Sequence, residues 1–450
     1  MVHSIMKVYW DTMGCAKNLT DSEYALAGLL AAGFELTDDP FAAQILVVNT
    51  CGFINDAKQE SIDRILELAQ LKDEGEALLL AVTGCLSQRY QQELADAMPE
   101  VDLMLGVAEY AELPARLQQA VQQRISKKLH LTERPACGRR VQLTPPHTAY
   151  LKIAEGCNNR CSFCAIPGIR GALHSRPMDE LLAEAAELKA SGVRELCLIA
   201  QDTTAYGYDL AGRSLLPDLL RRMDTVGFDM LRVLYSYPEN ISDELLEVIR
   251  DARTVCHYLD IPLQHVSANV LRRMNRRGGR EQIEALLQKI RTYLPDAAIR
   301  TTFMVGFPGE TDEDFAELLD FAAGAELDWA GVFRYSQEED TPAAVMPDQI
   351  DEDVKARRYN QLMAVLADVA AARREAQVGK KLTVMLEAPS LELPGYFEAR
   401  SQYQAPEVDG LIFVANTDGR FSERHIGAVC TVEVTEAVAY DLLAVPVDKM

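Results

Sequence analysis

Long apolar stretches are missing from this 450-residue chain. No run of about eighteen apolar residues occurs, so no segment is expected to span a membrane. The opening residues, Met1-Val2-His3-Ser4-Ile5-Met6-Lys7, lack the basic and apolar regions of a secretory signal, and a cytoplasmic location is expected. Positive charge is also scarce. Lys and Arg number 45 against 68 Asp and Glu, a formal net charge of −23, which repels phosphate backbones and draws cationic partners. The ten cysteines are even in number, yet no export signal accompanies them, and reduced thiols with metal ligation fit better than disulfides. With 48% hydrophobic and 25% charged residues, the composition is globular. The length exceeds one ordinary core, so roughly two to four domains are expected.

What is present begins with three cysteines in the run Glu155-Gly156-Cys157-Asn158-Asn159-Arg160-Cys161-Ser162-Phe163-Cys164. The spacing C-x-x-x-C-x-x-C can hold three irons of a cubane [4Fe–4S] cluster, and no fourth protein ligand lies at an obvious spacing nearby. An iron left open to a small molecule means chemistry rather than electron storage. The competing reading is a zinc knuckle or buried free thiols. Zinc sites pair C-x-x-C with a second pair or with histidines, and none follows. The spacing resembles that of the radical S-adenosylmethionine (SAM) enzymes. That resemblance implies SAM chelated at the open iron and cleaved to methionine and a 5′-deoxyadenosyl radical.

From Met6 to about Leu117, short apolar runs alternate with helical segments. Met6–Trp10, Gln44–Asn49 and Ala77–Thr83 read as buried strands, with helices over Ser22–Ala32, Ala57–Leu71 and Ser87–Ala97. Alternation predicts a parallel α/β sheet. Cys15 lies just beyond the first strand, and Cys51 and Cys85 end the second and third. All three thus project from the carboxyl edge of one sheet, where such folds build their sites. Gly14, Gly52 and Gly84 flank them and allow close backbone approach. Singly each cysteine is a small buried hydrophobe; as a set they favour a second Fe–S cluster.

Residues 119–147 read as a polar connector containing Cys137, to which no role is assigned. Strands then follow at Tyr150–Ile153, Glu195–Ala200, Leu231–Tyr235, Tyr258–Ile261, Ile299–Val305 and Ala330–Tyr335. Helices are expected at Met178–Ala190, Ser242–Arg250, Arg280–Leu294 and Asp312–Gly324. This is a partial (βα)6 barrel with its site at the carboxyl ends of the strands. A charged helix near Asp351–Gln377 closes the region. Beyond it, Leu382–Leu386, Gly410–Val414 and Val429–Val434 read as strands of a small antiparallel β-barrel, five-stranded if closed.

The whole chain resembles the methylthiotransferase family of radical SAM enzymes. The carrying segments are Gly14-Cys15-Ala16-Lys17-Asn18, Asn49-Thr50-Cys51-Gly52-Phe53 and Thr83-Gly84-Cys85, with the motif at Cys157. Relatives carry proline where Ala16 stands, a change that touches loop stiffness and not ligation. Four further segments are similar to the branch that modifies a ribosomal protein. They are Ala200-Gln201-Asp202-Thr203-Thr204-Ala205-Tyr206-Gly207, Ile261-Pro262-Leu263-Gln264-His265, Gly306-Phe307-Pro308-Gly309-Glu310-Thr311 and Ala405-Pro406-Glu407-Val408-Asp409-Gly410.

The resemblance implies an α/β chain in four parts. These are an N-terminal cluster domain over 5–118, a linker over 119–147, a radical SAM core over 148–376 and a TRAM module over 377–448. It implies two [4Fe–4S] clusters, held by Cys15, Cys51 and Cys85 and by Cys157, Cys161 and Cys164, with SAM as the further cofactor. The implied activity adds a methylthio group to the β-carbon of an aspartate in small-subunit ribosomal protein S-twelve. A low-potential donor such as flavodoxin or ferredoxin would supply electrons. The alternative is the sister reaction, 2-methylthiolation of a tRNA adenosine. Between Gln377 and Met450 basic side chains are outnumbered by acidic ones, six to eleven. That suits a basic protein partner better than tRNA, so direct nucleic-acid binding is not required.

Gln201, Asp202, Gln264, Arg300 and Gly306 are candidate SAM contacts at strand ends; turn formation or capping is the competing reading for the glycine loop. His265 is either a cofactor contact or a structural histidine. Cys197, Cys256 and Cys430 are expected in the core. Arg272, Arg273, Arg276, Arg277 and Arg280 form a dense run, suited either to RNA or an acidic donor protein, or to offsetting a helix dipole.

Overall fold

The structure, a computed structural model, describes residues 6–74, 77–123, 140–417 and 419–447. Cys137 lies outside these residues. The chain divides into two compact units. One comprises Met1–Leu143, Glu155–Asn158 and Cys164–Ala172; the other comprises Thr144–Ala154, Asn159–Phe163 and Leu173–Met450.

In the first unit, five strands form a parallel sheet of order β2-β1-β3-β4-β5: β1 Lys7–Thr12, β2 Glu35–Thr37, β3 Ile45–Thr50, β4 Leu79–Gly84 and β5 Leu103–Met104. β3 and β4 are buried along their whole length, as expected of central strands covered on both faces. Their side chains alternate between two cores. Ile45, Val47, Leu79 and Ala81 pack with Leu26, Leu29 and Leu113 on one face, while Leu46, Val48, Leu80 and Val82 pack with Ile65, Leu68 and Leu94 on the other. The edge strands β2 and β5 are too short to leave an apolar run. The first helix spans Ala16–Ala31 and so begins before the expected Ser22. Its first turns read as polar because Asn18, Thr20, Asp21, Ser22 and Glu23 are polar, yet all five are buried.

In the second unit, β6 Thr148–Lys152 is followed by two short strands, β7 Ala154–Glu155 and β8 His174–Ser175, the first of which runs into the other unit. The barrel continues with β9 Glu195–Ile199, β10 Met230–Val233, β11 Tyr258–Asp260, β12 Ala298–Val305 and β13 Trp329–Arg334. β6, β9 and β10 pair in parallel, as do β11, β12 and β13. A bridge between Leu231 and Val255 joins the two sets. Along β12, Ile299, Phe303 and Val305 enter the core beneath the helices, which turns Arg300, Thr302 and Met304 to the barrel interior.

The C-terminal strands β14 Lys381–Pro389, β15 Tyr396–Ser401, β16 Ile412–Ala415, β17 Val429–Val438 and β18 Asp441–Pro446 close a barrel of order β14-β15-β16-β18-β17. It is not wholly antiparallel: β16 and β18 pair in parallel. β17 and β18 form a hairpin, and closing the barrel lays the returning strand beside β16 in the same direction.

Candidate metal centres

Parallel β1, β3 and β4 end side by side, with Thr12 opposite Asn49, Asn49 opposite Thr83 and Thr50 opposite Gly84. Cys51 and Cys85 directly follow β3 and β4, and Cys15 caps the helix Ala16–Ala31 beyond β1. Their backbones approach closely. Gly14 has φ +94°, and a Cβ there would stand 2.9 Å from Cys51 Cβ; at Gly84, φ +105°, it would stand 2.4 Å from the Thr50 carbonyl. Only glycine fits either position. Asn18 ties the strand ends together, its Nδ2 donating to the carbonyls of Met13 at 2.9 Å and Thr50 at 3.0 Å. The Cys85 thiol donates to Asn18 Oδ1 at 3.5 Å.

The three thiols sense one another. Burial pushes Cys85 up to about 11 against the pull of Arg170, and nearby Cys15 and Cys51 add to the rise. Burial likewise raises Cys51. Cys15 is exposed at the surface; desolvation of its sulfur by neighbouring groups acts against ionisation, but the charges of Lys17 and Arg170 with backbone donors at Asn18 and Lys17 bring it below its ordinary value.

Sequence reasoning missed Arg170. It ends the short helix Ile166–Arg170 after the second cysteine motif, and its side chain is 2% exposed. Nη2 donates to Asn18 Oδ1 at 2.7 Å, Asp21 Oδ2 at 3.0 Å and Cys85 Sγ at 3.4 Å. Nη1 donates to Glu155 Oε2 at 3.0 Å. Nothing local could have revealed this, since its partners lie up to 152 residues away.

In the loop of the second motif, Gly156 has φ +74°, and a Cβ there would run into the Ala172 carbonyl at 2.1 Å. Cys157 N–H donates to the Gly171 carbonyl at 3.1 Å. Asn159 donates to Asp202 at 2.7 Å, Ser162 is buried and donates to the carbonyls of Met274 and Arg273, and Phe163 packs edge-on against Phe307. Cys161 Sγ lies 4.0 Å from the Tyr237 hydroxyl. The Arg276 guanidinium stacks 4.4 Å from the Tyr237 ring centroid. Burial raises Cys161, and Arg276 opposes the rise.

The expected SAM contacts separate into groups. Gln201 and Asp202 follow β9, at the carboxyl end of the barrel. Besides Asn159, Asp202 accepts from Asn240, Thr204 and the Ala205 N–H, so it positions the cysteine loop. Gln264 has φ +71°, a backbone state non-glycine residues rarely hold, pinned by hydrogen bonds with Thr302 and Met304 of β12. Gly306 directly follows β12, and a Cβ there would meet Lys355 at 2.2 Å. Its N–H and that of Phe307 donate to Glu310, which burial pushes up to about 7. His265 is fully buried, accepts from Ser267 N–H at 3.0 Å and is held down to about 3 by burial.

Arg300 stands apart. It lies near the amino end of β12, 2.9 Å from Asp260 and 3.3 Å from Asp409 of the C-terminal module. Tyr258 also donates to Asp409, at 2.6 Å, and Trp329 donates to the Tyr403 carbonyl at 2.8 Å. Arg400 donates to Glu195 and Glu387 at 2.6 Å each, and Arg232 meets Glu195 at 2.8 Å. The module thus plugs the amino ends of the barrel strands, and Glu387 and Asp409 spend their charge inside the protein. The arginine run is likewise no single surface. Arg276 is buried, Arg272 bonds Asn269, Arg273 bonds the Pro308 carbonyl, and Arg280 pairs with Glu284 and Asp320. Cys197, Cys256 and Cys430 are buried.

Among the described residues, no three His, Cys, Asp or Glu side chains converge closely enough to share one metal ion. A zinc ion needs its thiolates at about 2.3 Å from one centre. A cubane instead takes each thiolate on a separate iron, and the chemistry of three thiols on adjacent strand ends at Cys15, Cys51 and Cys85 fits that group. Residues 151–322 match the Radical SAM superfamily, 7–106 the uncharacterized protein family UPF0004, and 378–447 the TRAM domain. The chain is 46% identical to ribosomal protein uS12 methylthiotransferase RimO of Geotalea uraniireducens (strain Rf4), over 97% of each chain. It is 45% identical to RimO of Lachnoclostridium phytofermentans, over 97% of this chain and 99% of that one. The chain belongs to the RimO family. Among solved structures, the radical SAM methyltransferase TsrM from Kitasatospora setae, with tryptophan and a SAM analogue bound, superposes with a TM-score of 0.55 at 13% identity. It covers 81% of this chain and 89% of that one, a likeness of fold. No described helix is long and apolar enough to cross a membrane.

Proposed function

We propose that the protein is a radical SAM methylthiotransferase that adds a methylthio group to the β-carbon of an aspartate in ribosomal protein uS12. Its cofactors are two [4Fe–4S] clusters and SAM. Cys157, Cys161 and Cys164 would hold the SAM-binding cluster, and Cys15, Cys51 and Cys85 would hold the other. The target C–H bond yields only to an oxidant stronger than any side chain, which a reduced cluster and SAM supply as a 5′-deoxyadenosyl radical.

The chain's own residues bind and orient. Asp202 fixes the cysteine loop through Asn159. Glu310 fastens the Gly306–Phe307 turn by two backbone N–H groups. Gln201, Asp202, Gln264 and Gly306 stand at the carboxyl ends of the barrel strands, where SAM is expected; Arg300 is engaged at the other end. A low-potential donor such as flavodoxin or ferredoxin delivers electrons, and the reaction runs in the cytoplasm.

The observation that carries this reading is the gathering of Cys15, Cys51 and Cys85 on adjacent strand ends, in a chain that also carries the SAM-type cysteine loop. The test is anaerobic reconstitution with iron and sulfide, then incubation with SAM, dithionite and either a uS12 peptide or tRNA. The expected result is a peptide heavier by one methylthio group in place of hydrogen. Modified tRNA beside unchanged peptide would instead support the adenosine reaction. Iron for one cluster alone would overturn the two-centre assignment.

A further inference from the structure

We infer that Arg170 sets the reduction potential of the cluster held by Cys15, Cys51 and Cys85, acting as a positioning residue through the Cys85 sulfur. This rests on the proposal that those thiols hold a cluster. The guanidinium is removed from water and stays charged at any pH the protein survives. Besides Cys85 Sγ at 3.4 Å, its partners are Asp21 at 3.0 Å and Glu155 at 3.0 Å, with the neutral Asn18 amide oxygen at 2.7 Å. One fixed cation therefore sits between two carboxylates and a sulfur that would be a thiolate once it ligates iron.

Reduction of the cluster adds one electron and moves no atom. A cation donating to a ligand sulfur stabilises the more negative, reduced form, because charge and hydrogen bonds at the sulfurs govern cluster potentials. Low dielectric around the group makes the effect large. The two carboxylates work in the opposite sense and hold the guanidinium's reach to the one sulfur it touches. At Cys161 the neighbouring group is the Tyr237 hydroxyl, 4.0 Å from the sulfur, with the Arg276 guanidinium 4.4 Å from that ring's centroid.

The test uses the full-length chain with Cys157, Cys161 and Cys164 replaced by Ala, so that one centre is loaded. It is reconstituted without oxygen, assayed for iron and sulfide, and titrated with dithionite by electron paramagnetic resonance. Arg170→Met is expected to keep its iron while the reduced-to-oxidised ratio at a fixed potential falls about tenfold, which is about 59 mV for a one-electron couple. Arg170→Lys, which keeps the charge, is expected to shift less. Full iron with an unchanged potential in Arg170→Met overturns the inference. Should Arg170→Met lose its iron, Arg170→Gln, which keeps a donor beside the Cys85 sulfur but not the charge, decides: a downward shift supports the inference, and no shift overturns it. A background protein that binds no iron overturns the cluster assignment itself, and with it this inference.

Discussion

Two sets of buried arginines use similar chemistry for different ends. Arg170 faces Asp21, Glu155 and the Cys85 sulfur, whereas Arg232 and Arg400 face Glu195, Glu387 and backbone carbonyls. No partner in the second set is a candidate iron ligand, so the set is an anchor between barrel and C-terminal module. In the first, one partner is the Cys85 thiol, whose charge and bonding would change on the proposed ligation of iron. A buried cation becomes a tuning element where a neighbour's charge is variable, and remains a fastening where it is not.

The largest effects come from removing the variable partner. Cys85→Ala is expected to abolish methylthio transfer while SAM cleavage continues, read as 5′-deoxyadenosine released without modified peptide. Cys161→Ala is expected to abolish both. If Cys85→Ala retained product formation, the distinction between the two arginine sets would lose its basis.

At the anchor, Arg400→Met strands Glu195 and Glu387 beside one cation fewer. It is expected to cost about 3–5 kcal/mol of stability, the range for breaking a buried pair, measured by urea denaturation. Iron content of the folded fraction should stay at the wild-type level. Loss of iron with stability intact would place Arg400 in the cluster site's class.

Acid should reach the anchor in a defined window. Burial alone would raise Glu195, but Arg400 and Arg232 hold it down to about 2 against an ordinary 4.5. A depressed carboxylate contributes stability above its unfolded pKa and loses it as pH falls through the folded value. Unfolding midpoints should therefore drop between about pH 4.5 and 2, with a shallower slope in Glu195→Gln. Parallel slopes would count against the ion pair as the acid-sensitive link.

The smallest effect is expected at an exposed arginine with one amide partner. Arg272→Ala should change stability by no more than about 0.5 kcal/mol and leave peptide modification unchanged. A clear loss of modification would make that face of the barrel part of the substrate path.

The strand ends beside Cys51 and Cys85 were legible because they follow from local pattern. The runs Ile45–Thr50 and Leu79–Gly84 end at Cys51 and Cys85, so any parallel pairing puts those thiols on one edge. The helices Met178–Ala190 and Asp312–Gly324 match their expected bounds because apolar period and end signals agree. The strands Tyr396–Ser401 and Asp441–Pro446 were not foreseen. Tyr396–Ser401 is half polar, and the closed barrel supplies the pairing that its composition does not. Arg300 was expected at the SAM end and instead meets Asp409, because it is the third residue of β12 and stands near that strand's amino end.

By itself, the sequence determined the order of the parts, the strand ends that carry thiols and the spacing of the second cysteine loop. Periodicity and spacing act over a few residues and need no knowledge of distant neighbours. Only the tertiary structure decided that Arg170 lies on Cys85, that Asp409 is turned inward and that Arg276 leaves its neighbours to stack on Tyr237. A long charged side chain stays in water unless folding brings it partners that replace its hydration, and those partners here lie tens to hundreds of residues away.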